Sequence, residues 1–164
     1  MQVFCEIFLP IHLLLRSILT MSQSDQAART NWTLLFLSWL LVSVSTTISL
    51  FFSSVLEFEP CVLCWYQRIC LFPLILILGA GLFPFDKGVV RYALPLTIVG
   101  GLIAFYHTLL YGGIIPENIQ PCSQGVSCTE KYIELFGFIS IPMLSFFAFS
   151  ALATFLIILK RRTS

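Results

Sequence analysis

The sequence predicts an all-α, polytopic membrane protein: a four-helix bundle with two extracytoplasmic loops and both termini in the cytoplasm. Three observations lead there. The 164 residues are 58% hydrophobic and only 10% charged, far from the composition of a soluble domain. The few charges are separated by four long charge-free stretches, and Lys and Arg fall on alternate connections between them. A disordered chain is excluded, because disorder needs low hydrophobicity and high net charge, whereas this chain has sixteen phenylalanines and a net charge of +1. Nine Lys/Arg against eight Asp/Glu leave no basic excess for phosphate, so nucleic acid is not an expected partner and the lipid bilayer is.

No Asp, Glu, Lys or Arg occurs from Thr30 to Leu56, Ile69 to Phe85, Tyr92 to Pro116, or Leu135 to Leu159. Each gap is close to or above the ~20 residues that cross ~30 Å of hydrocarbon at helical rise. The expected spans are about Trp32 to Leu56, Trp65 to Phe83, Tyr92 to Tyr111, and Phe136 to Leu159, which places the membrane domain at 31–162. Pro73 and Pro142, inside the second and fourth spans, are expected to loosen the backbone ladder.

Orientation follows from the positive-inside rule. Arg29, Lys87, Arg91, Lys160, Arg161 and Arg162 all lie on one side of this arrangement. The opposite loops, Glu57 to Cys64 and Gly112 to Glu134, hold five acids and one cation, Lys131. Trp65, Tyr66, Tyr106, Tyr111 and Tyr132 then fall near the outer boundary, with Trp32 and Tyr92 near the inner one.

The N-terminal segment, 1–30, reads differently. Val3 to Leu19 is apolar but broken by Glu6, Pro10, His12 and Arg16, and it lacks the basic start and small-residue cleavage site of a secretory signal. Three readings stand open for residues 1–20: a start upstream of the natural one at Met21, an amphipathic helix on the membrane surface, or a fifth span. Cys5 has no assigned role.

Four of the six cysteines lie in the two outer loops. Cys61 and Cys64 form a C-x-x-C directly before the second span, and Cys122 and Cys128 form a C-x5-C in the longest loop. In an oxidising compartment such pairs are disulfides or dithiols in exchange. A helix N-terminus offers unsatisfied N–H groups and partial positive charge, which stabilise a thiolate. A ring closing so few residues is also a weak staple, and strained or exposed bridges tend to be labile ones. The blander reading is that both pairs pin the loops. Cys70, inside the second span, reads as a small buried hydrophobe.

Arg68 follows Cys64 by four residues and so shares its helix face one turn deeper. Intramembrane ionisable groups usually face the bundle interior and mark a functional path, and a guanidinium could hold a polar headgroup. It could equally snorkel to lipid phosphates. His107, near the outer end of the third span, reads alone as a packing residue.

The run Glu59-Pro60-Cys61-Val62-Leu63-Cys64-Trp65-Tyr66-Gln67-Arg68-Ile69-Cys70 resembles the signature of the DsbB family of disulfide bond formation proteins. The short second pair, followed by Lys131-Tyr132-Ile133-Glu134-Leu135-Phe136-Gly137-Phe138-Ile139, resembles its BdbC branch. The resemblance covers about Trp32 to Arg162. It implies a four-helix enzyme of the bacterial inner membrane that reoxidises a DsbA/BdbD-like thioredoxin-fold thiol oxidase and passes the electrons to a membrane quinone, ubiquinone or menaquinone. By position it implies that Cys61 and Cys64 are the quinone-proximal pair, with Cys64 meeting the quinone, that Arg68 lies beside the headgroup with His107 near the same site, and that Cys122 and Cys128 exchange with the partner. The second pair is spaced more widely in DsbB itself.

Two other functions fit parts of the pattern. A vitamin K epoxide reductase-like enzyme would also have four helices, a C-x-x-C and outer-loop cysteines, although the Cys-Trp-Tyr-Gln-Arg run points to DsbB. A metal-binding membrane module could use the four outer thiolates for tetrahedral zinc. Ser127 and Glu130 have capping-box spacing, which would start a short helix before the fourth span.

Overall fold

The computed structural model describes residues 2–57, 60–114, 134–135 and 139–163. The chain divides into two units, Met1–Thr33 and Leu34–Ser164. The first is helical from Gln2, as the opening part of α1 (Gln2–Ser54). Near its end the hydroxyls of Thr30 and Thr33 donate to the carbonyls of Gln26 and Arg29.

The second unit holds the remainder of α1, followed by α2 (Val62–Ala80), α3 (Val90–Tyr111) and α4 (Ile141–Thr163). Among the described residues, four helical stretches are long and apolar enough to cross a membrane: Gln26–Ser54, Val62–Ala80, Lys87–Tyr111 and Ile141–Thr163. The protein is thus an all-α, multi-pass membrane protein, as the charge-free gaps predict. One two-residue ladder accompanies the helices, with β1 (Glu134–Leu135) antiparallel to β2 (Ile139–Ser140).

The helices start and stop for local reasons. α2 begins three residues earlier than expected, because Cys61 takes the N-cap position and its sulfur accepts the Cys64 N–H at 3.4 Å. Asp86 accepts the Gly88 N–H at 2.7 Å and starts a 3-10 turn, Lys87–Val89, that feeds α3. Gly113, at φ 71°, lets the chain leave α3, since only glycine reaches that region without a Cβ penalty. α4 begins at Ile141 and not near Phe136, because the backbone at Ile139 and Ser140 pairs with β1. Pro142 is therefore the second residue of α4, where its missing N–H breaks no helical bond, and the expected loosening there does not apply. Pro73 and Pro95 do lie within α2 and α3.

The bundle of the second unit is antiparallel. Ser49, late in α1, meets Arg68, early in α2, while Trp39 approaches Gly79 at the other end. The Lys87 ammonium donates to the Thr163 carbonyl at 2.9 Å, joining the start of α3 to the end of α4. Gly100 lets α3 approach α4, because a Cβ there would collide with the Phe149 ring. Leu35, Val42, Leu74, Leu78, Ala104, Leu152 and Leu156 fill the interior, together with Cys70. Leu76, Leu102 and Phe147 face outward and exposed, which suits lipid and not water. Lys87 and Lys160–Arg162 gather at the end of the bundle opposite Cys61.

Candidate functional site

The entrance of α2 brings three of its side chains toward one cavity. Cys61 and Cys64 are three apart, Cys64 and Arg68 four apart, and both spacings return to the same face of a helix. α3 adds His107 to the cavity wall, α1 adds Ser45, Thr46 and Ser49, and α4 adds Ser145. The cavity is about 190 Å³, and its other walls include Phe52, Leu71 and Phe149. Ile48, Phe72 and Leu144, all exposed, form an apolar rim at its mouth.

The two sulfurs lie 2.8 Å apart, and both cysteines are free thiols. Cys61 is buried against Leu63 and Leu110, with Tyr106 packed beside them. The His107 Nε2 stands 3.8 Å from the Cys61 sulfur, and its Nδ1 stands 3.2 Å from the Gln67 side-chain nitrogen. Cys61 lies just outside α2. The hydrogen bond with Cys64 holds its thiol low, at about 4, against the opposing effect of burial, and His107 adds to the lowering. This is a sulfur prepared to be a thiolate.

Arg68 is only 8% exposed. Its Nε donates to the Ser49 hydroxyl at 2.8 Å and its Nη2 to the Ser49 carbonyl at 2.6 Å. The guanidinium also lies 5.5 Å from the Trp65 ring centroid, within cation–π range. The side chain is therefore turned into the bundle and fixed there. Two of five N–H donors are used in these bonds.

Of the residues singled out from sequence, Cys61, Cys64, Arg68 and His107 line one cavity. Cys122 and Cys128 lie outside the described residues, as do Ser127 and Glu130. Sequence reasoning did not single out Gln67, Ser49 or Thr46. Gln67, an uncharged polar residue within an apolar span, is 6% exposed. Thr46 has a buried hydroxyl with no hydrogen-bond partner.

The family model for "Disulfide bond formation protein DsbB" matches residues 28–159. The chain belongs to the DsbB family. Among its relatives is a probable disulfide formation protein of Metapseudomonas resinovorans, 48% identical over 142 residues, covering 86% of this chain and 99% of that protein. Disulfide bond formation protein C of Bacillus subtilis is 42% identical over 130 residues, covering 79% and 94%. A probable disulfide formation protein of Chlamydia caviae is 47% identical over 124 residues, covering 76% and 89%. No solved structure matches the chain significantly. This DsbB-family member therefore has a role in disulfide formation, and its free C-x-x-C lines a cavity among the membrane-capable helices.

The cavity fits a quinone headgroup by its donor set. Arg68 supplies a buried cation with N–H donors left over, while aromatic and aliphatic walls suit a flat ring.

Proposed function

We propose that this protein is a membrane dithiol:quinone oxidoreductase of the bacterial inner membrane. It reoxidises a DsbA/BdbD-like thioredoxin-fold thiol oxidase and so sustains disulfide formation in exported proteins. The observation that carries the reading is that the cysteine pair and Arg68 share one apolar cavity, opening between α1, α2 and α4. A quinone bound there, ubiquinone or menaquinone, would accept two electrons and two protons. Arg68 would hold its polar edge, with Cys64 beside it.

The chain's own residues supply the exchange. A thiolate of the reduced partner attacks the Cys122–Cys128 disulfide, a mixed disulfide forms, and the partner leaves oxidised. The Cys122/Cys128 dithiol then reduces the Cys61–Cys64 disulfide through an interloop bridge. Each exchange breaks one S–S bond and forms another, so the electron pair moves inward without loss. Cys61, low in pKa, resolves the pair back to its disulfide.

The reading places both cysteine pairs on the extracytoplasmic side and both termini in the cytoplasm. The cation cluster at the opposite end of the bundle supports that orientation. The deciding experiment supplies purified protein with reduced partner and a soluble quinone analogue. Partner oxidation that tracks quinone reduction one to one is expected. Partner oxidation that proceeds equally without quinone would reject the reading.

A further inference from the structure

Gln67 is buried in α2 and lies beside His107 of α3. With the amide N–H donating to Nδ1, that ring nitrogen is the acceptor, so Nε2 carries the proton and directs it at the Cys61 sulfur 3.8 Å away. We propose that Gln67 is a positioning residue: it holds the ring of His107, by donating to or accepting from Nδ1, so that Nε2 exchanges a proton with Cys61, the resolving thiol. The proposal rests on the thiol oxidoreductase reading and assigns a proton path within it.

An amide suits this task because it has both a donor and an acceptor. When Cys61 is a thiolate, Nε2–H donates to it and the Gln67 N–H occupies Nδ1. When the thiol must ionise, the amide turned over accepts from Nδ1–H and leaves the Nε2 lone pair facing sulfur. The S–H bond then breaks, an N–H bond forms at Nε2, and the resulting imidazolium donates to both Gln67 and the thiolate. No electron is transferred in this step. The histidine thereby serves Cys61, while Arg68 is tied to Ser49 of α1. Few titratable groups compete with it: Cys64 and Arg68 from α2, and Tyr111 from α3, with Tyr106 packed nearby. Among the described residues, α1 and α4 bring none to the cavity lining.

The test uses full-length reduced protein in lipid nanodiscs and needs no quinone. Cys61 alkylation by iodoacetamide is followed by mass spectrometry across pH. Gln67→Leu keeps volume and suits an apolar helix, whereas Gln67→Glu keeps an acceptor for Nδ1–H. Loss of one positioned hydrogen bond predicts Cys61 alkylation slowed about ten-fold in Gln67→Leu on the acid side of the profile, below the native midpoint, where the thiolate fraction limits the rate. Gln67→Glu should alkylate at least as fast as the native protein. A residue that merely fills space gives the reverse order, and that order, or an unchanged rate in Gln67→Leu, overturns the proposal. Where Gln67→Leu does not fold, Gln67→Glu decides: a changed midpoint in its alkylation–pH profile supports the proton path, and an unchanged one overturns it. Because alkylation is read without quinone, a protein that fails to reduce quinone at all would defeat the functional reading and leave this result standing.

Discussion

Arg68 donates two hydrogen bonds to Ser49, one to its hydroxyl and one to its carbonyl, so the buried cation of α2 is clamped to α1. A snorkelling arginine would instead extend to the lipid phosphates. Arg68→Lys keeps the charge but loses the planar fork. With a charge-assisted hydrogen bond worth about 1.5 to 3 kcal/mol, the apparent KM for quinone should rise roughly ten-fold or more. Exchange between the partner and Cys122/Cys128 should stay intact. Unchanged quinone kinetics in a normally inserted variant would remove Arg68 from the site.

Cys61 should be unusually reactive in acid. Its thiol is held at about 4 chiefly by Cys64, so near neutral pH it is already thiolate, and alkylation should vary little between about pH 6 and 8. An ordinary thiol with a pKa of ~8.5 would speed up steeply over the same interval. Cys64→Ala removes the largest cause, raises the Cys61 pKa and should restore that steep dependence. A pH-flat rate in both proteins would dismiss Cys64 as the cause.

The orientation can be read chemically. In intact cells with reduced protein, an impermeant maleimide should reach Cys122, and Cys61 should react with it more slowly because that sulfur is buried. Protection of both until the membrane is opened would reverse the topology.

The α3–α4 contact gives a stability prediction. Gly100→Ala would drive a methyl into Phe149, and overpacking of this kind costs about 1–3 kcal/mol. Thermal unfolding in detergent should show a lower Tm, and adding Phe149→Leu should recover part of it. Equal Tm values for the native protein and Gly100→Ala would show that the helices can separate at no cost.

The family match starts at residue 28, so a chain beginning at Met21 should insert and oxidise its partner normally. Lost activity at equal expression would return residues 1–20, and Cys5 with them, to the functional account.

The spans were legible because charge is excluded from hydrocarbon, and the gaps Arg29 to Glu57, Arg68 to Asp86, Arg91 to Glu117 and Glu134 to Lys160 mark them directly. The start of α4 was not, since Leu135 to Ser140 is as apolar as the helix it precedes and only backbone pairing distinguishes it. Cys61, Cys64 and Arg68 stood out by reactive chemistry and spacing. Ser49 did not, because its role depends on a meeting with a residue nineteen positions away, and helical serines usually bond back to their own helix, as Ser38 does. Gln67 was passed over because a neutral amide between Tyr66 and Arg68 draws attention only once His107 is known to lie beside it.

The cavity mouth is framed by Ile48, Phe72 and Leu144, side chains exposed on the outer surface of the bundle. An apolar-tailed occupant entering between them partitions from the bilayer and not from bulk solution. Saturation would then follow its mole fraction among the lipids, so diluting the same amount of quinone with inert phospholipid should slow turnover even when its concentration per litre is held constant. If the proposed quinone reaction holds, the lipid composition of the membrane, through surface dilution, becomes a determinant of how quickly disulfides are made.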